Sequence, residues 1–237
     1  EKLKNDDGAR TQLLKGGRAP RAGEKIHFPE LAKTLRVLAN EGRDAFYKGS
    51  IAKSLVEFAQ KQGGTHTLAD FSEFASHYVD PIKANYRGVD LYQIPPSGQG
   101  LTALVLLNIL EGYQTKAMDP LSADRFHLQI EATQLAYSVR DAFVADPAFA
   151  DIPVDRLLSK SFADELRAKI NMKKAGHAPS LKSSTYQRDT IYLTVADRFG
   201  NMCSFINSLY FSFGTGKVDP ATGIALQNRG ACFRVEA

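Results

Sequence analysis

One discontinuity limits what this chain can fold into: two stretches with different hydrophobic periods meet across residues 171–188. Before the break, apolar residues recur at helical spacing. After it, Thr190-Ile-Tyr-Leu-Thr-Val-Ala196 is rich in the β-branched and aromatic residues that fit a pleated surface. The segment between them is polar, basic and nearly free of apolar periodicity, and it reads as an exposed linker. Helices first and strands afterwards point to α+β, not to a doubly wound parallel sheet.

The helical part divides at its punctuation. The opening stretch is polar and turn-rich, with loops at Gly16-Gly17 and from Ala19 to Gly23. Pro29 opens a helix through Leu31, Leu35, Leu38 and Ala39, which Gly42 ends. A second helix follows Gly49 with Ile51, Leu55, Phe58 and Ala59 on one face, and Gly63-Gly64 stops it. Thr67 is placed to cap a short helix through Asp70, Phe71 and Phe74. Residues 86–92 read as strand sequence around an Arg87-Gly88 turn. After the loop Pro95-Pro-Ser-Gly-Gln-Gly100, an apolar helix runs over 101–110, a long one over about 122–145, and another over about 160–170. Beyond the linker, Asp197–Asn201 forms a hairpin turn, Met202–Phe205 a return strand and Ile224–Leu226 a short strand.

Composition removes several functions. With 43% hydrophobic and 24% charged residues the chain is an ordinary globular one, long enough for a core without disulfides. The longest apolar run, Leu101–Leu107, is far short of the ~18 residues of a membrane span, so no membrane partner is expected. The net charge of +4 collects in clusters without interleaved aromatics, which fits a solvated face and not a nucleic-acid groove. Cys203 and Cys232 have no metal-site spacing and read as unpaired core residues. No secretory signal is read, but Glu1 is not a start methionine, and the compartment stays open between cytoplasm, the side favoured, and periplasm.

Four places could carry chemistry. Ser97–Gly100 leads into a helix but lacks the Gly-Lys-Ser/Thr ending of a P-loop, and reads as a structural turn. His127 and Glu131 are one helical turn apart without a third ligand. An intrahelical hydrogen bond is the better reading, and neither metal nor cofactor is expected. Arg140, Asp141 and Asp146 suit capping and salt bridging.

The fourth is Asp189-Thr190, where the linker meets the strand. A threonine there is unremarkable alone. Its setting is that of an N-terminal nucleophile: a strand holds Thr190 while the preceding segment can be released. A free α-amine, with a pKa near ~8, can act as general base for the hydroxyl of the same residue. The chain would first have to cut itself. The Thr190 hydroxyl attacks the Asp189 carbonyl, the acyl group shifts from nitrogen to oxygen, and water hydrolyses the ester.

At these residues the sequence resembles the gamma-glutamyltranspeptidase family. The likeness runs through Pro20–Glu24, Pro29–Leu35, Ala45–Gly49, Gly63-Gly64 with Asp70, Pro95–Gly100 with Leu107–Glu111, and His127 with Glu131 on to Asp146-Pro147. It continues in Asp189-Thr190 to Asp197, Gly200-Asn201, Phe213–Gly216 and Gly223-Ile224. The resemblance implies an N-terminal-nucleophile hydrolase with a four-layer αββα sandwich, only part of it in this chain. It implies a precursor cut at Asp189-Thr190. Residues 1–189 would belong to a mainly helical large subunit ending in the processing linker 171–189, and residues 190–237 to a β-rich small subunit. The two stay together, leaving room for a homodimer of heterodimers. Thr190 falls on the nucleophile, and Ser208 where relatives carry a supporting threonine.

Other positions depart from the pattern. Thr190-Ile191-Tyr192 stands for Thr-Thr-His, Tyr210 for an asparagine, and Ala231-Cys232 for an Asp-Asp pair that grips the donor ammonium. Tyr210, Asn228, Arg229 and Cys232 are therefore the substrate-pocket candidates. The resemblance also implies that the oxyanion hole and the arginine for the donor carboxylate lie outside 1–237. The expected substrate is a small-molecule amide: a gamma-glutamyl compound such as glutathione, or a small acyl amide as in the oxamate amidohydrolase branch. A non-catalytic relative that keeps only the fold is the alternative from another class.

Overall fold

The computed structural model describes residues 1–176 and 190–233, which fall into two compact units: residues 1–75 with 190–233, and residues 76–176. The strand-type segment after the linker thus belongs with the first five helices.

The first of these, α1 (Asp7–Leu13), lies where the sequence reads as turn-rich. Its support is partly distant. The Asp6 carboxylate caps it, accepting from Ala9 N–H at 2.8 Å, and also accepts from Val218 N–H at 3.1 Å. Gly8 lets the chain come close, since a Cβ there would lie 1.9 Å from the Val218 carbonyl oxygen. α2 (Pro29–Glu41) begins at Pro29 and ends at Gly42, whose φ of 74° and N–H bond to the Leu38 carbonyl close the last turn. α3 (Arg43–Tyr47) follows directly, then α4 (Ser50–Lys61). α5 (Leu68–Ser72) starts on the expected Thr67 cap and stops before Phe74. The Asp70 carboxyl completes the capping box, and the Thr67 N–H and hydroxyl hold it below its usual range. Ala45, Ile51 and Leu55 form the core of this unit, with Val37, Leu38, Phe46, Phe71, Ile224 and Leu226 packed on it.

In the second unit, β1 (Ile82–Tyr86) and β2 (Val89–Gln93) make an antiparallel hairpin that turns at Arg87-Gly88, both with positive φ. The strand sequence therefore begins earlier than residue 86. α6 (Gly100–Glu111) and α7 (Ala123–Phe143) are the two long helices, followed by α8 (Val154–Leu157) and α9 (Lys160–Arg167). Leu101, Val105 and Ile109, spaced four apart, turn one face of α6 into a core with Ala132, Ala136 and Val139 of α7 and with Leu157, Phe162 and Leu166. Asn108, 1% exposed, has a partner for each of its side-chain polar atoms. It donates to the Leu158 carbonyl at 2.9 Å and accepts from Lys160 Nζ at 2.8 Å. Lys160 also pairs with Glu111, whose carboxyl it holds below the usual range.

His127 and Glu131 are not bonded to each other as expected. His127 Nε2 donates to the Asn171 carbonyl at 2.9 Å, and Glu131 accepts from Gly176 N–H at 2.9 Å. These two side chains hold residues 171–176, the start of the expected linker, on α7. Arg140 does pair with Asp141, and also donates to Gln99 at 3.1 Å. The Ser97–Gly100 stretch is a loop entering α6, as read.

Back in the first unit, β3 (Ile191–Ala196) and β4 (Met202–Asn207) form the second antiparallel hairpin, exposed on both faces. The strand expected at 224–226 is instead a single bridge between Val218 and Ala225. Asp219 dominates this region: its carboxylate accepts from the Ser54 and Thr222 hydroxyls, each at 2.7 Å, and from Ala221 N–H. These bonds fold residues 219–222 into a tight turn, so only the short stretch around Val218 and Ala225 faces across it. Thr34 on α2 donates to the Thr222 carbonyl at 2.8 Å, and Gly223 leaves no room for a Cβ beside Leu31. The class is α+β, as read. Among the described residues no helix is long and apolar enough to cross a membrane.

Candidate active site

The β3–β4 turn sets the geometry of the site. The Asp197 carboxylate accepts from Phe199 N–H at 2.8 Å, from Asn201 N–H at 2.9 Å and from Asn201 Nδ2 at 2.8 Å. The Asn201 side chain leads in holding that carboxyl below its usual range. Gly200, at φ 85°, supplies the left-handed residue the turn requires. With the turn pinned, the register runs from Ala196 opposite Met202 to Ile191 opposite Asn207. One step further along each strand stand Thr190 and Ser208, and their hydroxyl oxygens are 2.9 Å apart. A slip of one residue would turn each to the other face.

Ser208 also ties the next segment in. Its Oγ accepts from Tyr210 N–H at 2.9 Å. Tyr210 has a φ of 78°, stacks on Phe211 with ring centroids 4.6 Å apart, and lies under Arg229, whose guanidinium carbon is 5.1 Å from the ring centre. That spacing suits a cation–π contact. Asn228 braces both neighbours: its N–H donates to the Leu209 carbonyl and its Oδ1 accepts from Phe211 N–H, both at 3.1 Å. Among the described residues no carboxylate pairs with Arg229.

The structure therefore joins five of the sequence candidates in one chain of contacts: Thr190, Ser208, Tyr210, Arg229 and Asn228. Thr190 is exposed. Cys232 closes the single turn Arg229–Cys232. Like Cys203 it is unpaired, but both are exposed and not in the core. Among the described residues, nothing covers the hairpin and the turn on which they stand. Asp189 lies outside the described residues. No three His, Cys, Asp or Glu side chains converge as a metal site among the described residues. Sequence reasoning missed the contacts made by Lys2 and Asp6. Only the Asp-Asp-Gly signal at Asp6 hinted that a helix starts there.

A family profile described as Gamma-glutamyltranspeptidase matches residues 1–237. The chain belongs to this family. It is 41% identical over 220 residues to the glutathione hydrolase-like YwrD proenzyme of Bacillus subtilis, covering 93% of this chain and 41% of that protein. It is 35% identical over 236 residues to the oxamate amidohydrolase proenzyme of Klebsiella pneumoniae, covering 100% of this chain and 44% of the other. Among solved structures it resembles cephalosporin acylase from Bacillus halodurans at a TM-score of 0.85 and 36% identity, over 100% of this chain and 42% of that one. The chain thus spans well under half the length of these relatives. Its architecture is part of the N-terminal-nucleophile hydrolase fold.

Proposed function

We propose that this chain is part of a self-processing amide hydrolase or acyltransferase whose nucleophile is Thr190. The observation that carries the reading is the 2.9 Å contact between Thr190 Oγ1 and Ser208 Oγ at the open end of β3–β4. A hydroxyl partner can orient the nucleophile and accept its hydrogen bond. The α-amine freed by cleavage after Asp189 serves as general base. Thr190 then attacks the amide carbonyl, the amine leaves with a proton, and water or an acceptor amine takes the acyl group. On this reading residues up to 189 belong to one product of the cut and those from 190 to the other. The word proenzyme in the relatives' names supports a cleaved precursor.

The donor side favours a small acyl amide over a gamma-glutamyl group. Cys232 in its thiol form offers no negative charge for an α-ammonium, and Tyr210 and Arg229 occupy the segment beside Ser208 with an aromatic face and a cation. The likeness to an oxamate amidohydrolase supports the same preference.

The test uses the full-length protein. Intact mass should show two chains divided between Asp189 and Thr190, and Thr190→Ala should remain whole. Gamma-glutamyl-p-nitroanilide, glutathione and oxamate are then compared, with turnover lost in Thr190→Ala. An uncut wild type with normal hydrolysis refutes the mechanism. Glutathione turned over faster than oxamate refutes the donor preference.

A further inference from the structure

The segment after Ser208 is bent in a way that its own residues do not favour. Tyr210, Phe213, Gly214 and Gly216 have φ values of 78°, 61°, 54° and 78°. Left-handed backbone at two residues with side chains persists only where surrounding contacts hold it. Local bonds close the turns: Gly214 N–H donates to the Phe211 carbonyl, and Gly216 N–H to the Phe213 carbonyl, both at 2.7 Å. The carbonyls of Ser212 and Gly214 converge on one point.

Lys2 occupies that point. Its Nζ donates to the Ser212 carbonyl at 3.0 Å and to the Gly214 carbonyl at 2.5 Å, across 210 and 212 positions of sequence. Its stem runs beneath Gly216, where a Cβ would stand 2.8 Å from Lys2 Cγ. Two carbonyl dipoles aimed at one point repel each other, and an ammonium with three donors turns that repulsion into attraction. Asp6, four residues on, fixes the far end of the same segment through Val218 N–H.

The near end of the segment reaches the nucleophile. Tyr210 N–H donates to Ser208 Oγ, and Ser208 Oγ meets Thr190 Oγ1, each at 2.9 Å. We propose that Lys2 is a positioning residue for Thr190. Its ammonium sets the 212–214 backbone, that backbone sets the Tyr210 N–H, and the N–H orients the Ser208 hydroxyl that holds Thr190. This rests on the reading of Thr190 as nucleophile.

The experiment compares full-length wild type, Lys2→Met and Lys2→Arg. Lys2→Met keeps the stem under Gly216 and removes the donors; Lys2→Arg keeps a multidentate cation. Turnover of oxamate, the favoured donor, and of gamma-glutamyl-p-nitroanilide and its desamino analogue, glutaryl-p-nitroanilide, is measured per Thr190 site, with sites counted from the acyl-enzyme burst. Lys2→Met should lower kcat about tenfold, equivalent to ~1.4 kcal/mol, with KM within about twofold. Lys2→Arg should recover most of the loss. If Lys2→Met yields no folded protein, Lys2→Gln is read by the same criteria. A purely structural role would reduce the number of titratable sites and leave kcat per site unchanged. That result, an unchanged kcat in Lys2→Met, or an Lys2→Arg as slow as Lys2→Met overturns the proposal. Failure of the nucleophile reading shows elsewhere, as an uncut wild type or an active Thr190→Ala, and removes the Lys2 role with it.

Discussion

Replacing Ser208 by alanine separates the support proposed for the nucleophile from the proposed nucleophile, Thr190, itself. The substitution removes two hydrogen bonds of 2.9 Å: the one to Thr190 Oγ1 and the one from Tyr210 N–H. A neutral hydrogen bond of this kind contributes about 0.5–1.5 kcal/mol net. If the Thr190 contact is made fully in the transition state, its loss slows reaction by about 2- to 13-fold. The contact is exposed, so water can replace part of it, which argues against a larger effect. Ser208→Ala should therefore cut itself and turn over amides several-fold slower, whereas Thr190→Ala does neither. Ser208→Thr, which keeps the hydroxyl, should restore both rates to within about twofold. The assay follows cleavage between Asp189 and Thr190 by intact mass over time, beside anilide hydrolysis per active site. Wild-type rates in Ser208→Ala, or a Ser208→Thr no faster than the alanine variant, would refute the argument that this oxygen orients Thr190.

Two further expectations concern stability and titration in the first unit. Gly8→Ala puts a Cβ 1.9 Å from the Val218 carbonyl oxygen and should destabilise the protein by about 1–3 kcal/mol or more, read as a lower urea midpoint. The Glu24 carboxyl, bonded first by Arg18 and then by Arg21 N–H, is held down to about 2. Its stabilising contribution is thus present above the ordinary carboxylate pKa and is lost as pH falls toward 2. Carboxyl-carbon NMR titration should place its midpoint near 2, and Arg18→Ala should raise it.

What could be read from sequence follows the range of the forces involved. α2, α4, α6 and α7 were legible because Pro29, Gly42, Ser122 and the four-residue spacing of Leu101, Val105 and Ile109 act within a few residues. The β3–β4 hairpin was legible because its Asp197-to-Asn201 turn is local chemistry. α1 was not, because Gly8 looks like a loop residue until Val218 is known to lie against it. The strand expected at 224–226 shrank to one bridge, and the turn before it is set by distant partners: Ser54 on α4 holds Asp219 and Thr34 on α2 holds the Thr222 carbonyl. Thr190 came from the linker-to-strand junction together with family resemblance and Ser208 from the resemblance alone, and the register of the hairpin then gave their pairing a physical cause. Lys2 carries no local signal, since its partners lie more than two hundred residues away.

The buried carboxylate of Asp219 acquires a different meaning once the chain is cut. In the intact polypeptide its bond to Ser54, like that of Thr34 to the Thr222 carbonyl and of Asp6 to Val218 N–H, closes a loop within one molecule. With the proposed scission before Thr190 the same bonds would join two molecules, and mass action would apply to them. Dilution then opposes the assembly where before it had no influence. On that reading the covalent precursor presents each partner to the other at a high effective concentration, and the seam would have only to survive the cut, not to find its partner in solution.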